Sequence, residues 1–287
     1  MNHLGEKLLR LEALLLNNNP RLVTSAAMRE MASLGISDEM AYAMILAGTF
    51  GLRPDEDDDD RKLVYEYLLP SLHKLAVSDY TDNPYYSSIV FPEIEERGVR
   101  LTYGEYAPFE AFPCGDMHRE GARLLAPLGF FDQRIRYPMI TQDGREWMTV
   151  TPNEIATMSG PIAESHGHVL VYGLGLGYYA YMVAIKPEVE SVTVVERDEV
   201  IYDLFCKHIL PQFPNGKVSL VLQDAFLHAE TSRFLRYGRP FDMVFTDLWH
   251  DVGDGLPLYR KMKALQERYS VKGQIFRYWI EPSMSCY

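Results

Sequence analysis

The stretch that most limits how this chain can fold is His168-Val-Leu-Val-Tyr-Gly-Leu-Gly-Leu-Gly177. An apolar, strand-like run passes directly into Gly173, Gly175 and Gly177, and then into a helix-forming stretch. Glycines are required where a ligand must approach the backbone closely. A helix that starts at such a turn offers free N–H groups and a partial positive charge, suited to a carboxylate or a pyrophosphate. The residues that follow keep this rhythm. Strands are expected at 168–172, 191–196, 217–222, 241–246 and 274–279, and helices at 177–185, 198–210, 226–235 and 256–270. Short apolar strands alternating with helices predict a parallel sheet covered on both faces.

Three regions follow from texture. Residues 1–82 read as a helical N-terminal region: Leu4, Leu8, Leu11 and Leu15 recur at helical spacing, a second helix is expected over 21–34 with Gly35 behind it, and Ser37 opens a third. The acidic run Asp55–Asp60 reads as a solvated loop whose last carboxylates favour the start of the next helix. Residues 83–150 read as a small antiparallel β element, because Val99, Leu101 and Tyr103, then Ile135, Tyr137 and Met139, alternate with polar residues. Asp143-Gly144 marks a hairpin between that second run and Trp147–Val150. Residues 151–287 form the α/β domain. Its start, Thr151-Pro152-Asn153-Glu154, matches a capping box with Thr151 as N-cap and Glu154 closing it, a reading favoured over Glu154 facing a substrate site.

Composition argues against several classes. A net charge of −12 provides no basic footprint for nucleic acid and repels anionic membranes. The three cysteines, Cys114, Cys206 and Cys286, are far apart and form no CxxC pair, so neither a disulfide framework nor a zinc site is suggested. No signal peptide or membrane-length apolar run is evident, and a cytoplasmic protein with reduced thiols is the simplest reading. With 47% apolar residues, 287 residues bury a sizeable core in one large domain or two modest ones.

Acids at the ends of the later strands supply candidate ligand contacts. Glu196 closes the second strand 23 residues after Gly173, where a carboxylate accepts hydrogen bonds from ribose hydroxyls. Asp224, followed by Ala225, closes the third, placed either for an adenine amino group or as the cap of the next helix. Asp247 ends the fourth, and His250 and Asp251 follow on the loop; Asp247 and His250 are the candidates to position a nucleophile or take its proton.

In this order, Val169-Leu-Val-Tyr-Gly-Leu-Gly-Leu-Gly177, Val194-Val-Glu196, Gln223-Asp224-Ala225 and Phe241-Asp-Met-Val-Phe-Thr-Asp247 resemble the class I S-adenosylmethionine-dependent methyltransferases over residues 166–281. The β-rich region before the turn and the acid after strand four are similar to the spermidine-synthase branch. The resemblance implies a Rossmann-like sheet and S-adenosylmethionine as cofactor. Tyr172, Gly173, Gly175 and Gly177 would then surround its amino-acid part, Glu196 its ribose, and Asp224 with Ala225 its adenine.

The chain departs from that pattern in four places. Tyr172 stands where many members have an acid. His250 occupies the place of the second of two acids in aminopropyl transferases, and their usual Tyr and His are not evident around Thr151–Ile162. Thr246-Asp-Leu-Trp249 replaces the motif of amino-methylating DNA enzymes. Two strands expected after the fifth are missing, so the sheet is truncated or its edge is covered by N-terminal segments, and an open edge would favour a homodimer. Four readings remain: methyl transfer to a small-molecule acceptor, aminopropyl transfer to an amine, a nicotinamide-dependent oxidoreductase matching GxGxxA at Gly175–Ala180, and a non-catalytic relative.

Overall fold

A computed structural model describes residues 3–121, 123–214 and 216–285. Two hydrophobic cores form, and each belongs to one of two compact units, Met1–Thr81 with Glu105–Arg136 and Asp82–Gly104 with Tyr137–Tyr287. The β-rich stretch 83–150 is therefore shared between the units. Cys114 and Cys206 are free thiols, and Cys286 lies outside the described residues.

In the first unit the leucine repeat produces the helix His3–Asn18, which buries Leu4, Leu8 and Leu15. The second helix is shorter than the sequence suggests, Ser25–Ala32, because the Thr24 hydroxyl accepts the Ala27 N–H at 3.2 Å and so sets its start. Ser37 caps Asp38–Thr49 in the same way. Asp57 caps Asp58–Lys62, which makes the acidic run a helix start as expected; Lys7 pairs with Asp60 at 2.7 Å. Tyr42 and Leu46 from the third helix meet Leu63 and Leu68, and Tyr42 stacks on Phe130 at 4.3 Å between centroids. Glu12 also lies inside this unit, 4% exposed, with one oxygen accepting the Ser71 hydroxyl and the other, Oε2, without a hydrogen-bond partner.

The second unit is built on a five-stranded, all-parallel sheet: β1 (Gly167–Tyr172), β2 (Val189–Glu196), β3 (Val218–Leu222), β4 (Met243–Thr246) and β5 (Ile275–Tyr278). Their spatial order is β3-β2-β1-β4-β5. Val169, Val171, Val192, Val194, Val244 and Phe245 are buried, as strands covered on both faces require. Helix α1 (Pro152–Glu164) precedes the sheet, and α2 (Tyr178–Ala184), α3 (Glu199–Leu204), α4 (Ala225–Ser232) and α5 (Val252–Tyr269) connect its strands. This is the Rossmann-like α/β arrangement expected, with a sheet that ends at its fifth strand among the described residues. The strand order reverses between β1 and β4, and a crevice at the carboxyl ends of those strands is where such sheets bind ligands.

The expected hairpin is present as Ile135–Gln142 and Arg145–Thr149, paired antiparallel, with Asp143 and Gly144 both at positive φ. A sheet of four strands contains this hairpin and the pair Ile94–Glu96 and Val99–Tyr106. Among the described residues no helix is long and apolar enough to cross a membrane.

Candidate active site

A cavity of about 390 Å³ opens at the carboxyl ends of β1, β2, β3 and β4, a volume in the range of small-molecule sites. The glycine turn forms one wall, and its three glycines do three different things. At Gly173 (φ +94°) an added Cβ would lie 1.8 Å from the main-chain oxygen of Asp247, so this glycine lets two strand ends close on each other. At Gly177 it would lie 2.4 Å from the Phe205 ring, so this one seats α2. At Gly175 the nearest neighbour would be the Met148 sulfur at 4.0 Å, which leaves Gly175 as the glycine with open space over it.

Tyr172 does not line the cavity. Its ring is fully buried, and its hydroxyl is 3.0 Å from His228 Nδ1 on α4, with the Phe234 ring edge-on to it. A tyrosine here fills the core beneath α4 instead of facing the turn.

Glu196, 7% exposed, lines the cavity and ties the turn to β2. Its Oε1 accepts the N–H groups of Arg197 and Asp198 at 2.7 and 2.8 Å, and Oε2 accepts that of Leu174 at 3.1 Å. Oε2 retains acceptor capacity for a hydroxyl. Asp224 is both a cap and a cavity residue: Oδ1 accepts the Phe226 and Leu227 N–H groups at 2.9 Å, while Oδ2 has no hydrogen-bond partner among the described residues. Ala225 lies beside it on the wall. Two carboxylates with acceptor capacity to spare thus line the same cavity as Gly175.

The opposite wall is acidic. Asp247 follows β4, and its N–H donates to the Tyr172 carbonyl at 2.8 Å. Glu154, on the first turn of α1, lines the same cavity. The capping box expected for Thr151 and Glu154 is absent: Thr151 makes no side-chain cap bond, and Glu154 turns into the cavity. Both residues are half-buried and line the cavity. Neither side chain has a hydrogen-bond partner among the described residues. Burial pushes Asp247 up to about 7. Burial, together with the negative charge of Asp247, holds Glu154 well above the usual carboxylate range. Near neutral pH the pair thus keeps at least one proton and presents at most one negative charge, a state that an entering cation relieves.

Glu146 and Trp147, from the hairpin, and His250 complete this side. Burial raises Glu146 as well. His250 meets Trp147 edge-on, with centroids 4.4 Å apart, and its Nδ1 is 3.0 Å from Asp254 Oδ2. Asp251, its sequence neighbour, is the cap of α5. The cavity floor contains Tyr179 stacked on Phe245 at 3.9 Å.

The sequence alone favours a cap over a cavity role for Glu154, offers Trp147 only through local aromatic density, and gives no reading of Asp254. Glu154 was hidden by a well-formed capping motif. Asp254 carried a usable signal, its spacing of four residues from His250 on a helix start.

No family model matches the chain, and no curated protein matches it. Solved structures do. A spermidine synthase in complex with the transition-state analogue AdoDATO is 20% identical, over 40% of this chain and 43% of that one, with a TM-score of 0.29. A spermidine synthase from Thermotoga maritima is 18% identical over 45% and 49%, with a TM-score of 0.30. A protein assigned as an O-methyltransferase from Klebsiella pneumoniae is 20% identical over 38% and 46%, with a TM-score of 0.28. The chain thus spans less than half the length of each. The fold stands on the strand order itself: it is a parallel α/β sheet of the Rossmann-like type.

Proposed function

We propose that this chain binds S-adenosylmethionine between the glycine turn and the ends of β2 and β3, and transfers its methyl group to a small amine. The observation that carries the acceptor side is the carboxyl pair Glu154 and Asp247, half-buried on the cavity wall with no hydrogen-bond partner among the described residues. Two partly desolvated carboxyls side by side resist ionising together unless a cation joins them. An alkylammonium group does so, and the aromatic and apolar wall around the pair suits the carbon skeleton next to it.

The donor side fits the groups left free. Glu196 Oε2 and Asp224 Oδ2 are acceptors for ribose and adenine, and Gly175 is the open face over which a ligand passes. When bound, S-adenosylmethionine supplies a methyl carbon already activated by its sulfonium. The work left to the protein is alignment and exclusion of water. Asp247 and Glu154 hold and orient the amine, and Tyr179, Phe245 and Trp249 line the dry side.

One observation favours a second reading. The residues lining the cavity include six carboxylates (Glu146, Glu154, Glu196, Asp198, Asp224 and Asp247) against one arginine, Arg197. That balance suits a donor without the α-carboxylate, and hence aminopropyl transfer.

Isothermal titration separates the readings. S-adenosylhomocysteine binds in the first reading, and the decarboxylated donor outcompetes S-adenosylmethionine in the second. Butylamine, added to the S-adenosylhomocysteine complex, binds more tightly as pH rises through about 7, where Asp247 ionises. Asp247→Asn weakens butylamine about tenfold or more while the nucleoside affinity holds. Absence of binding by every adenosyl ligand would sink the proposal.

A further inference from the structure

An ammonium held by two carboxyls is a poor nucleophile. The charge that recruits it also stabilises its extra proton, so the holding pair works against deprotonation. If the reading under Proposed function holds, the proton needs a separate acceptor with access to water.

His250 has the required placement. It lines the cavity, and its side chain is 46% exposed. The ring is held from two sides. Trp147 packs against it at 4.4 Å, and Asp254 Oδ2 lies 3.0 Å from Nδ1. Asp254 is itself fixed, since its Oδ1 accepts the main-chain N–H groups of Asp251 and His250 at 3.0 and 3.1 Å within the capping box of α5. Partial desolvation opposes ionisation of Asp254, yet the hydrogen bonds from the His250 ring and from the Asp251 and His250 backbone outweigh it and keep the carboxyl below its usual range. An ionised carboxylate only accepts hydrogen bonds, so Nδ1 carries a hydrogen. In the neutral ring the lone pair then sits on Nε2.

We infer that His250 and Asp254 form a proton-accepting dyad on the cavity wall, with His250 Nε2 as the base toward the acceptor amine and Asp254 as its positioning residue. In the step assigned to it, one N–H bond of the ammonium breaks and its electron pair stays on nitrogen. The proton goes to Nε2 and gives an imidazolium, which Asp254 stabilises and which passes the proton to solvent.

The test uses the full chain labelled with 15N-histidine. In the unaltered protein at pH 8 His250 shows one tautomer, protonated at Nδ1. Asp254→Asn converts it to a mixture, while the Kd for S-adenosylhomocysteine stays within about twofold. Adding butylamine to the S-adenosylhomocysteine complex shifts the Nε2 resonance. His250→Gln serves as the assignment control and leaves the Asp247-dependent binding of butylamine measurable. An unchanged tautomer in Asp254→Asn, or butylamine that binds through Asp247 without moving Nε2, overturns the dyad. Failure of butylamine to bind at all refutes the amine reading instead, and the tautomer measurement still decides the role of Asp254.

Discussion

Two alanine substitutions only two residues apart have different consequences. At Gly175 the backbone is at φ +53°, an ordinary left-handed conformation, and an added methyl meets no atom closer than 4.0 Å. The cost to folding is that of a left-handed non-glycine residue, about 1–2 kcal/mol. At Gly173 φ is +94°, and the methyl would overlap the Asp247 carbonyl at 1.8 Å. The opposing atom is backbone and cannot swing aside. It follows an N–H that donates to the Tyr172 carbonyl at 2.8 Å, so the ends of β1 and β4 must separate. Strain of about 1–3 kcal/mol from the dihedral alone is then joined by the loss of packing at that junction, for a total of about 3 kcal/mol or more. Urea denaturation should rank the proteins as wild type, Gly175→Ala, Gly173→Ala. Titration with S-adenosylhomocysteine should give a weakened Gly175→Ala, by about tenfold or more, because its methyl stands where the ligand passes. If Gly175→Ala binds this nucleoside as the wild type does, the ligand does not pass over that glycine. If Gly173→Ala unfolds at the wild-type urea concentration, the close approach of the two strands is wrong.

Glu12→Gln should change the pH dependence of folding. Burial raises Glu12 from about 4.5 to about 8, so its contribution is fully present below pH 4.5 and is lost as pH rises to 8. At about 1.4 kcal/mol per pH unit the ceiling on that loss is about 5 kcal/mol. The variant should therefore gain on the wild type at pH 9 and flatten the curve, as followed by denaturation at several pH values; parallel curves would refute it. Glu196→Gln presents an amide N–H to at least one of three backbone donors, so it should cost about 1–3 kcal/mol in urea denaturation and weaken nucleoside binding together. Weakening of one without the other would separate the two roles given to this carboxylate.

The parallel sheet was legible because its signal is local. Each strand is a short apolar run, the first four are followed within two residues by a glycine or an acid, and all five expected strands lie within two residues of those observed. The positions of Glu196, Asp224 and Asp247 on one cavity follow from strand ends alone. The rest depends on partners distant in sequence. Nothing near Gly173 tells that its neighbour is the carbonyl of Asp247, whereas Gly175 faces open space. Thr151-Pro-Asn-Glu154 satisfies every local rule for a capping box, yet whether a glutamate folds back on its own helix or reaches into a cavity is decided by what lies across from it. The start of α5 was expected at Leu256 and lies at Val252, because the Asp251–Asp254 capping box outweighs Gly253, Gly255 and Pro257. Gly255 also has a use invisible in sequence: a side chain there would strike Trp249 and Met284.

Because both halves of the molecule are stitched from non-adjacent pieces, no single cut releases either one whole. Removing everything before residue 82 would strand Leu125, Leu128 and Phe130, whose companions Leu8, Tyr42 and Leu63 would be gone. On the ribosome the helical portion cannot finish until residue 136 has emerged, and by then the other portion has already begun. Shortened versions designed at the seeming boundary near residue 82 should therefore aggregate, whereas removing residues 105–136 together with residues 1–81 is the excision that leaves no orphaned apolar surface from that core.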